Sequence, residues 1–177
     1  MTSLRIEALT AKHELKGFDC GVEELNRFLA QFAWQNQRAD AARTYVALAE
    51  AEVIGFYSLA AGEIAYDAAS ERLRKGLAKH PIPTVLLARL AVAQRWQGGG
   101  RGIGPGLLKD AFKQTLEVAN RIGVRALAVD AKDDRAAGFY GRFGFAPLTA
   151  DSRRMIRLVT DLRKDVPATT AQKRVER

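Results

Sequence analysis

The chain has 177 residues, of which 47% are hydrophobic, and it carries a formal net charge of +8. This length and composition predict one domain that is large enough to bury a substantial core. No apolar run approaches the roughly 20 residues that a membrane span needs, and no signal-peptide segment opens the chain, so we expect neither an anchor nor a leader. Cys20 is the single cysteine, which excludes a disulfide framework and fits a reducing cytoplasm.

The charge pattern allows two interpretations. A basic excess favours a polyanionic partner such as a nucleic acid, but it also fits an ordinary solvated surface. His13 and His80 lie far apart without metal-ligand spacing, so we predict no metal site. Apolar residues thin out after Leu162, which predicts a domain over residues 1–162 and a basic, loosely held tail over residues 163–177.

Hydrophobic periodicity predicts strands and helices in alternation. Leu4, Ile6 and Ala8 indicate a first strand, and a helix capped by Asp19 or Gly21 follows it. The apolar stripe of this helix is Leu25, Phe28, Leu29, Phe32 and Ala33. A hairpin over residues 44–49 and 53–59, a short charged helix over 68–79 and a buried strand over 84–92 are predicted next. A helix then runs from about Gly104 to Ile122, with Gly123 as its C-cap, and a strand over 126–129 follows it. The last predicted elements are a helix that is capped by Asp133 or Asp134 and ends near Gly144, and a strand over 155–159. This order predicts an α/β fold with a mixed sheet and helices on both faces.

A glycine-rich turn between the buried strand and the following helix is the main functional signal. Free backbone N–H groups and the positive end of the helix dipole attract anions there, so we expect a phosphate or pyrophosphate on residues 97–104. The alternative is a flexible turn with no ligand. A Walker loop is excluded because Pro105 and Gly106 follow the last glycine. A dinucleotide-binding turn is disfavoured because Gly100, Gly102 and Gly104 break its spacing.

Two segments resemble the GNAT acetyltransferases. The turn that follows Leu90-Ala91-Val92 is similar to their pyrophosphate turn, and Ala136–Phe145 is similar to their late A-x-x-F-Y-x-x-x-G-F segment. The resemblance implies the GNAT fold with splayed central strands, and acetyl-CoA as co-substrate without a metal. The implied acetyl-CoA contacts are Leu90, Ala91, Val92, Gln97, Gly98, Gly99, Gly100, Arg101, Gly102, Ile103 and Gly104. The turn carries two extra glycines, so the family motif can be placed on it in two registers. Counted from Gln97, the motif selects Gly100 and Gly102. Counted back from the helix, it selects Gly102 and Gly104.

Tyr140, in the second segment, has two interpretations. It is either a general acid that protonates the departing coenzyme A thiolate, or a buried, hydrogen-bonded core tyrosine. The acceptor amine must be neutral to attack, and at pH 7 a lysine is neutral roughly once in 2500 molecules, an α-amine about one time in seven. Because the central strand offers no carboxylate and Glu63 is only a weak candidate base, the sequence favours an acceptor with a low amine pKa.

A narrower resemblance is to the GNAT toxins of bacterial toxin–antitoxin pairs. It rests on FDCGVEELNRFL, AWQNQRADAARTYVAL and LLARLAV. It implies acetylation of the α-amino group of aminoacyl-tRNA, which blocks translation, by a cytoplasmic homodimer. It also implies a ribbon-helix-helix antitoxin that represses the shared operon, with DNA contacted only through the antitoxin complex. Candidate tRNA contacts are Gln35, Asn36, Arg38, Arg89 and Arg95. The alternatives are a GNAT enzyme acting on a small amine or a protein N-terminus, and a binding module without catalysis.

Overall fold

The computed structural model describes residues 4–166 and contains one seven-stranded sheet in the order β1-β2-β3-β4-β5-β7-β6. The β1–β2, β2–β3, β5–β7 and β6–β7 ladders are antiparallel. β4 and β5 are neighbours joined by a helix, which is the connection that parallel strands need. The mixed sheet of the predicted α/β class is therefore confirmed. The strands are β1 (Arg5–Ala8), β2 (Arg43–Ala49), β3 (Glu52–Ile64), β4 (Ile82–Val92), β5 (Ala126–Asp130), β6 (Ala146–Pro147) and β7 (Arg154–Leu158). The α-helices are α1 (Glu23–Arg27), α2 (Ala33–Arg38), α3 (Glu71–Arg74), α4 (Ile103–Ala119), α5 (Asp134–Arg142) and α6 (Val159–Asp165).

The chain divides into two compact units. The first contains the residues up to Ala61 together with Leu87–Ala111, and the second contains Gly62–Leu86 together with the residues from Phe112 onward. β3, β4 and α4 each pass from one unit to the other. Of the predicted tail, residues 163–165 belong to α6, and residues 167–177 lie outside the described part of the chain.

In the first unit, the helical segment from α1 to α2 packs on β2 and β3. Phe28 and Leu29 lie in a buried apolar cluster with Val46, Leu48 and Phe56. The predicted cap of α1 is wrong: Val22 occupies the N-cap position without a side-chain bond. Asp19 instead accepts hydrogen bonds from the Gly21 amide and the Asn26 side chain, and these bonds lower the pKa of its carboxyl group.

Phe32 does not join the buried stripe, contrary to the prediction. A π-helical turn, Phe28–Phe32, connects α1 to α2 and adds one residue to the helical repeat. The extra residue rotates the following side chains by one position, so Ala33 is fully buried and Phe32 is 41% exposed. The exposed Phe32 ring lies 5.7 Å from the Arg27 guanidinium.

In the second unit, two predicted helices are shorter than expected. The helix predicted over residues 68–79 is reduced to α3, because Gly76 turns the backbone to a φ of +77° and Arg125 donates to the carbonyls of Leu73 and Lys75. α4 ends at Ala119, so Ile122 is 64% exposed and Gly123 is not a left-handed C-cap. The amide of Arg121 bonds to the Val118 carbonyl three residues back, which tightens and ends the last turn.

Gly144, in the turn after α5, lies close to the side chain of Arg157. Gly144 has a φ of +85°, and a Cβ atom there would lie 2.8 Å from Nε of the buried Arg157. We expect Gly144→Ala to lower the free energy of unfolding by about 2 to 4 kcal/mol, from backbone strain and displacement of the guanidinium. Gly76→Ala is the matched control, since Gly76 has a similar φ and open space around it, and it should cost only about 1 to 2 kcal/mol. Urea unfolding measures both, and equal losses would contradict a tight Arg157 contact.

Candidate active site

The glycine-rich turn has an unusual backbone conformation in the first unit. Gly98, Gly99, Gly100 and Gly102 have φ angles between +62° and +70°, in the region that L side chains rarely adopt. Open space surrounds most of the turn, because Cβ atoms built on Gly98, Gly100 or Gly102 would meet no atom of residues 4–166 within 4 Å. α4 starts directly afterwards, and the Gly106 amide donates to the Gly102 carbonyl at 2.9 Å. A ligand can therefore approach this backbone closely.

The same turn presents unused hydrogen-bond donors. Within residues 4–166, the amides of Gly100, Gly102, Ile103 and Gly104 have no acceptor, and Pro105 has no N–H to offer. These donors stand at the N-terminus of a 17-residue helix, where the backbone dipole is positive. The arrangement suits an anion such as a phosphate.

The side chains of the turn serve mainly to hold it in place. The Gln97 amide nitrogen donates to the carbonyls of Cys20 (3.0 Å) and Val92 (2.7 Å), which uses both of its hydrogens and ties the turn to the end of β4. Arg101 donates to the Arg95 carbonyl at 2.7 Å, and its guanidinium lies 5.6 Å from the Trp96 ring. The main chain is thus the part of the turn that remains available to an anion.

Gly55 of β3 lies close both to α4 and to β4, the strand before the turn. Ala91 is buried, while Leu90 and Val92 are partly exposed. A Cβ atom on Gly55 of β3 would lie 2.9 Å from the Leu107 side chain and 3.0 Å from the Ala91 carbonyl. The bare glycine therefore lets β3 and the first turns of α4 come together beside Ala91.

Tyr140 lies in the second unit, on α5. Asp133, one of the two predicted caps, is the N-cap of this helix, and its carboxylate accepts a hydrogen bond from the Ala136 amide at 2.8 Å. The Tyr140 side chain is 8% exposed and meets Phe139 and Phe145 edge-on, at ring distances of 5.3 and 5.5 Å. Burial raises the pKa of Tyr140 to about 12, so the phenol keeps its proton at neutral pH.

The Tyr140 hydroxyl makes no hydrogen bond to the described part of the chain, yet its oxygen is not sealed away from solvent. A core tyrosine that serves only packing normally finds a partner for its hydroxyl. Further aromatic side chains support the Tyr140 ring. Phe145 packs on Phe112, and Phe112 packs under the Arg157 guanidinium. This guanidinium pairs with Asp165. The second unit therefore holds a rigid phenol whose donor is uncommitted.

The predicted tRNA contacts have different environments in the first unit. Gln35 and Arg38 are exposed on α2, whereas Asn36 is partly buried and its carbonyl accepts the amides of Ala41 and Ala42. Arg95 is exposed but forms an ion pair with Glu52, which raises the pKa of its guanidinium. This ion pair borders a cavity of about 480 Å³, lined by Glu14, Lys16, Gly17, Phe18, Asp19, Glu52, Val53, Ala93, Gln94 and Arg95.

Arg89 has the most informative environment of the five. Its guanidinium lies 3.6 Å from the centroid of the Phe28 ring, and burial lowers its pKa. Sequence reasoning selected Arg89 but missed Phe28 as its support, because an apolar stripe already accounted for Phe28. Glu63, the weak candidate base, is exposed in the second unit.

A second polar cluster escaped prediction. The Tyr57 hydroxyl donates to the Asp110 carboxylate at 2.5 Å, and the Tyr45 ring stacks on Tyr57 at 5.0 Å. Burial raises the pKa of both tyrosines. Each of these residues lies in an element that sequence periodicity explained as core, so no local signal marked the cluster. Over residues 4–166, no group of three His, Cys, Asp or Glu side chains could hold a metal ion, and no helix is long and apolar enough to cross a membrane.

The fold and the turn together define a class of protein. A mixed sheet whose central strand leads through an open glycine turn into a helix is an arrangement that holds a phosphate-bearing ligand. The family model for the acetyltransferase (GNAT) domain matches residues 40–147, and the chain belongs to this family.

The chain is also similar to individual proteins within or beyond this family model. A tRNA-acetylating toxin of Mycobacterium tuberculosis is 35% identical over 150 residues, which are 85% of this chain and 89% of the relative. The solved structure of AtaT complexed with acetyl-methionyl-tRNAfMet is 30% identical, with a TM-score of 0.83 over 92% of this chain and 98% of that one. A tyrosine-to-phenylalanine variant of AtaT, bound to acetyl-CoA and the C-terminus of the antitoxin AtaR, is 28% identical, with a TM-score of 0.77 over 92% and 97% of the two chains.

Proposed function

We propose that this protein is a toxin of a toxin–antitoxin pair that transfers the acetyl group of acetyl-CoA to the α-amino group of aminoacyl-tRNA. The observation that carries the proposal is the run of open, positive-φ glycines with unused amides at the start of α4. The proposal is supported by the 35% sequence identity to a tRNA-acetylating toxin. It is also supported by the structural similarity to AtaT in complexes with acetylated tRNA and with acetyl-CoA. Acetylation of the amine removes the nucleophile that forms the next peptide bond.

The diphosphate of acetyl-CoA binds the main-chain amides of residues 97–104. Gly102 belongs to both registers of the turn, and its amide is unused. Gly98, Gly99 and Arg101 shape the turn, and Gln97 holds it to β4 through its side chain. The pantetheine arm pairs with the main chain of Leu90, Ala91 and Val92, as the family resemblance implies.

Tyr140 acts as the general acid that protonates the departing thiolate. Against a thiol pKa of about 8.5, a phenol pKa of about 12 makes the transfer uphill by roughly 3.5 units, or about 5 kcal/mol. Desolvation also raises the pKa of a thiol held in a buried site, which narrows this gap. The remaining free-energy difference is offset because the proton transfer accompanies cleavage of the C–S bond. Main-chain amides near the thioester polarise its carbonyl.

An α-amine acceptor removes the need for a strong base before the attack, and the proton that its nitrogen then loses passes to solvent or to the Tyr140 phenolate. Such an amine, with a pKa of about 7.8, is neutral about one time in seven at pH 7. Glu63, the weak candidate base, is exposed to solvent. The tRNA lies along the first unit, where Gln35, Asn36, Arg38, Arg89 and Arg95 contact its backbone.

The assembly follows from the same proposal. The toxin is a cytoplasmic homodimer, because charged tRNA is a cytoplasmic substrate and the family resemblance implies two copies. A ribbon-helix-helix antitoxin neutralises it, and the pair represses its operon, with DNA contacted through the antitoxin. Support comes from the solved complexes of AtaT with AtaR and with DNA.

Expression without an antitoxin should arrest growth. We expect plasmid-borne wild-type protein to stop protein synthesis within minutes of induction, measured by incorporation of labelled amino acids, and Tyr140→Phe to relieve the arrest. Tyr66→Phe is the matched control, because the Tyr66 ring contacts Arg74 and carries no proposed role, and it should remain toxic. Normal growth with soluble wild-type protein would instead favour a GNAT enzyme that acts on a small amine or a protein N-terminus.

A further inference from the structure

Arg89 is a half-buried cation that has no hydrogen-bond acceptor within residues 4–166. The face of its guanidinium lies 3.6 Å from the Phe28 centroid, and Phe28 stacks in turn on Phe56. No carboxylate or carbonyl of residues 4–166 accepts a hydrogen bond from it. Because the ring covers one face, the N–H groups along the guanidinium edge remain available to a ligand.

Three other arginines that are buried or partly buried have hydrogen-bond acceptors. Arg157 and Arg154 donate to carboxylates, Asp165 and Asp130 respectively, and Arg125 donates to three carbonyls. A cation that is partly withdrawn from water without a partner is energetically unfavourable. Arg89 is therefore in the state expected of a residue whose acceptor arrives with a ligand.

The position of Arg89 on β4 indicates which ligand this is. Arg89 immediately precedes the Leu90–Val92 segment, and it shares one strand face with Ala91, which packs in the same cluster as Phe28. Under the proposed function, the acetyl group is transferred beside this segment. The anion of an aminoacyl-tRNA that lies nearest its reactive amine is the phosphodiester between the last two nucleotides.

We propose that the Arg89 guanidinium, oriented by the Phe28 ring, binds the terminal phosphodiester of the tRNA acceptor end. This inference rests on the proposed function and assigns the recognition of the acceptor end to one side chain. A planar guanidinium offers two parallel N–H groups to two phosphate oxygens. The contact therefore positions the ester-linked amino acid as well as attracting the tRNA.

Two minimal acceptors test the contact. One is 3′-O-aminoacyl-adenosine, which has no phosphate, and the other is aminoacyl-cytidylyl-adenosine, which has one phosphodiester. Both carry the amino acid that the wild-type enzyme acetylates fastest on whole tRNA. We expect kcat/KM of the wild type to be about 10- to 100-fold higher for the dinucleotide, as for a charge-assisted contact, and Arg89→Gln to abolish this preference. Arg89→Lys should keep part of it, and KM for acetyl-CoA should not change.

Whole charged tRNA gives a second measurement. Arg89→Gln should lower kcat/KM about 10- to 100-fold and reduce the slope of log(kcat/KM) against log[salt] by roughly 1. Arg121→Gln removes an exposed positive charge elsewhere and should change kcat/KM less than about 3-fold. The melting temperature of Arg89→Gln should change little, because the lost contact with the Phe28 ring is offset by removal of a partly desolvated charge.

The outcomes separate the two proposals. If Arg89→Gln keeps the dinucleotide preference and the activity on whole tRNA, the phosphate contact is overturned while the proposed function stands. Equal losses on both minimal acceptors would also overturn it, since they would indicate general damage to the site. If the wild type acetylates no charged tRNA but does acetylate another amine, the proposed function fails, and this inference fails with it.

Discussion

Replacing Tyr140 with phenylalanine should lower kcat for acetyl transfer by about 10²- to 10³-fold and leave the Kd for acetyl-CoA unchanged. The substitution removes only the hydroxyl, and the ring keeps its packing on Phe139 and Phe145. Under the proposed acid role, coenzyme A would then leave as an unprotonated thiolate. Steady-state kinetics with charged tRNA gives kcat, and calorimetry gives the affinity for acetyl-CoA.

The melting temperature separates a chemical effect from a structural one. The Tyr140 hydroxyl has no hydrogen-bond partner in residues 4–166, so its loss should not destabilise the fold. A kcat within about 3-fold of the wild type would remove the acid role, since general acid catalysis normally contributes far more.

The pH profile should reflect the raised pKa of Tyr140. With a pKa of about 12, the phenol stays protonated through pH 10, so kcat should show no alkaline decline that depends on this residue. In contrast, kcat/KM for charged tRNA should rise to a plateau above the α-amine pKa of about 7.8. An alkaline decline in kcat between pH 8 and 9, on the order of tenfold, would contradict a phenol buried this deeply.

Substitution of Gly102 should weaken acetyl-CoA binding. We expect Gly102→Ala to raise the Kd by about 10- to 100-fold, because a methyl group would enter the open space that the diphosphate needs and would strain a backbone with a φ of +70°. Calorimetric titration with coenzyme A measures the change. Pantetheine, which lacks the diphosphate, should bind the variant and the wild type equally.

Gly76→Ala controls for the strain in the Gly102 variant. Gly76 has a φ of +77°, and a Cβ atom added to it would meet no atom of the described part of the chain within 4 Å, but it lies outside the turn. Both substitutions should cost about 1 to 2 kcal/mol of stability, while only Gly102→Ala should lose coenzyme A affinity. Equal affinities for the two variants would contradict diphosphate binding at the turn.

The sequence predicts the segments whose signals are local. β4, the glycine turn and the start of α4 follow from an apolar run, a cluster of glycines and helical spacing, all of which lie within adjacent residues. The Asp133 cap and the hairpin between β2 and β3 have equally local causes. The exposure of Phe32 could not be predicted, because a π-turn changes the helical repeat without a composition signal. The exposure of Ile122 could not be predicted either, because apolar periodicity continues past the last helical residue.

The candidate site is only partly predictable for the same reason. The glycines and Tyr140 stand in short motifs, so their positions in the sequence are enough to propose roles for them. The stack of Arg89 on Phe28 and the bond between Tyr57 and Asp110 join residues that are distant in the chain. Such contacts depend on how strands and helices pack, which neither composition nor spacing determines.

Transfer of labelled acetyl to charged tRNA tests the central claim most directly. The purified protein, labelled acetyl-CoA and a total pool of charged tRNA should give label that remains with tRNA and is released by mild base as N-acetyl amino acid. Deacylated tRNA should take up no label, and Tyr140→Phe should transfer it about 10²- to 10³-fold more slowly. Label on deacylated tRNA, or no transfer to charged tRNA by protein that binds acetyl-CoA, would contradict the account.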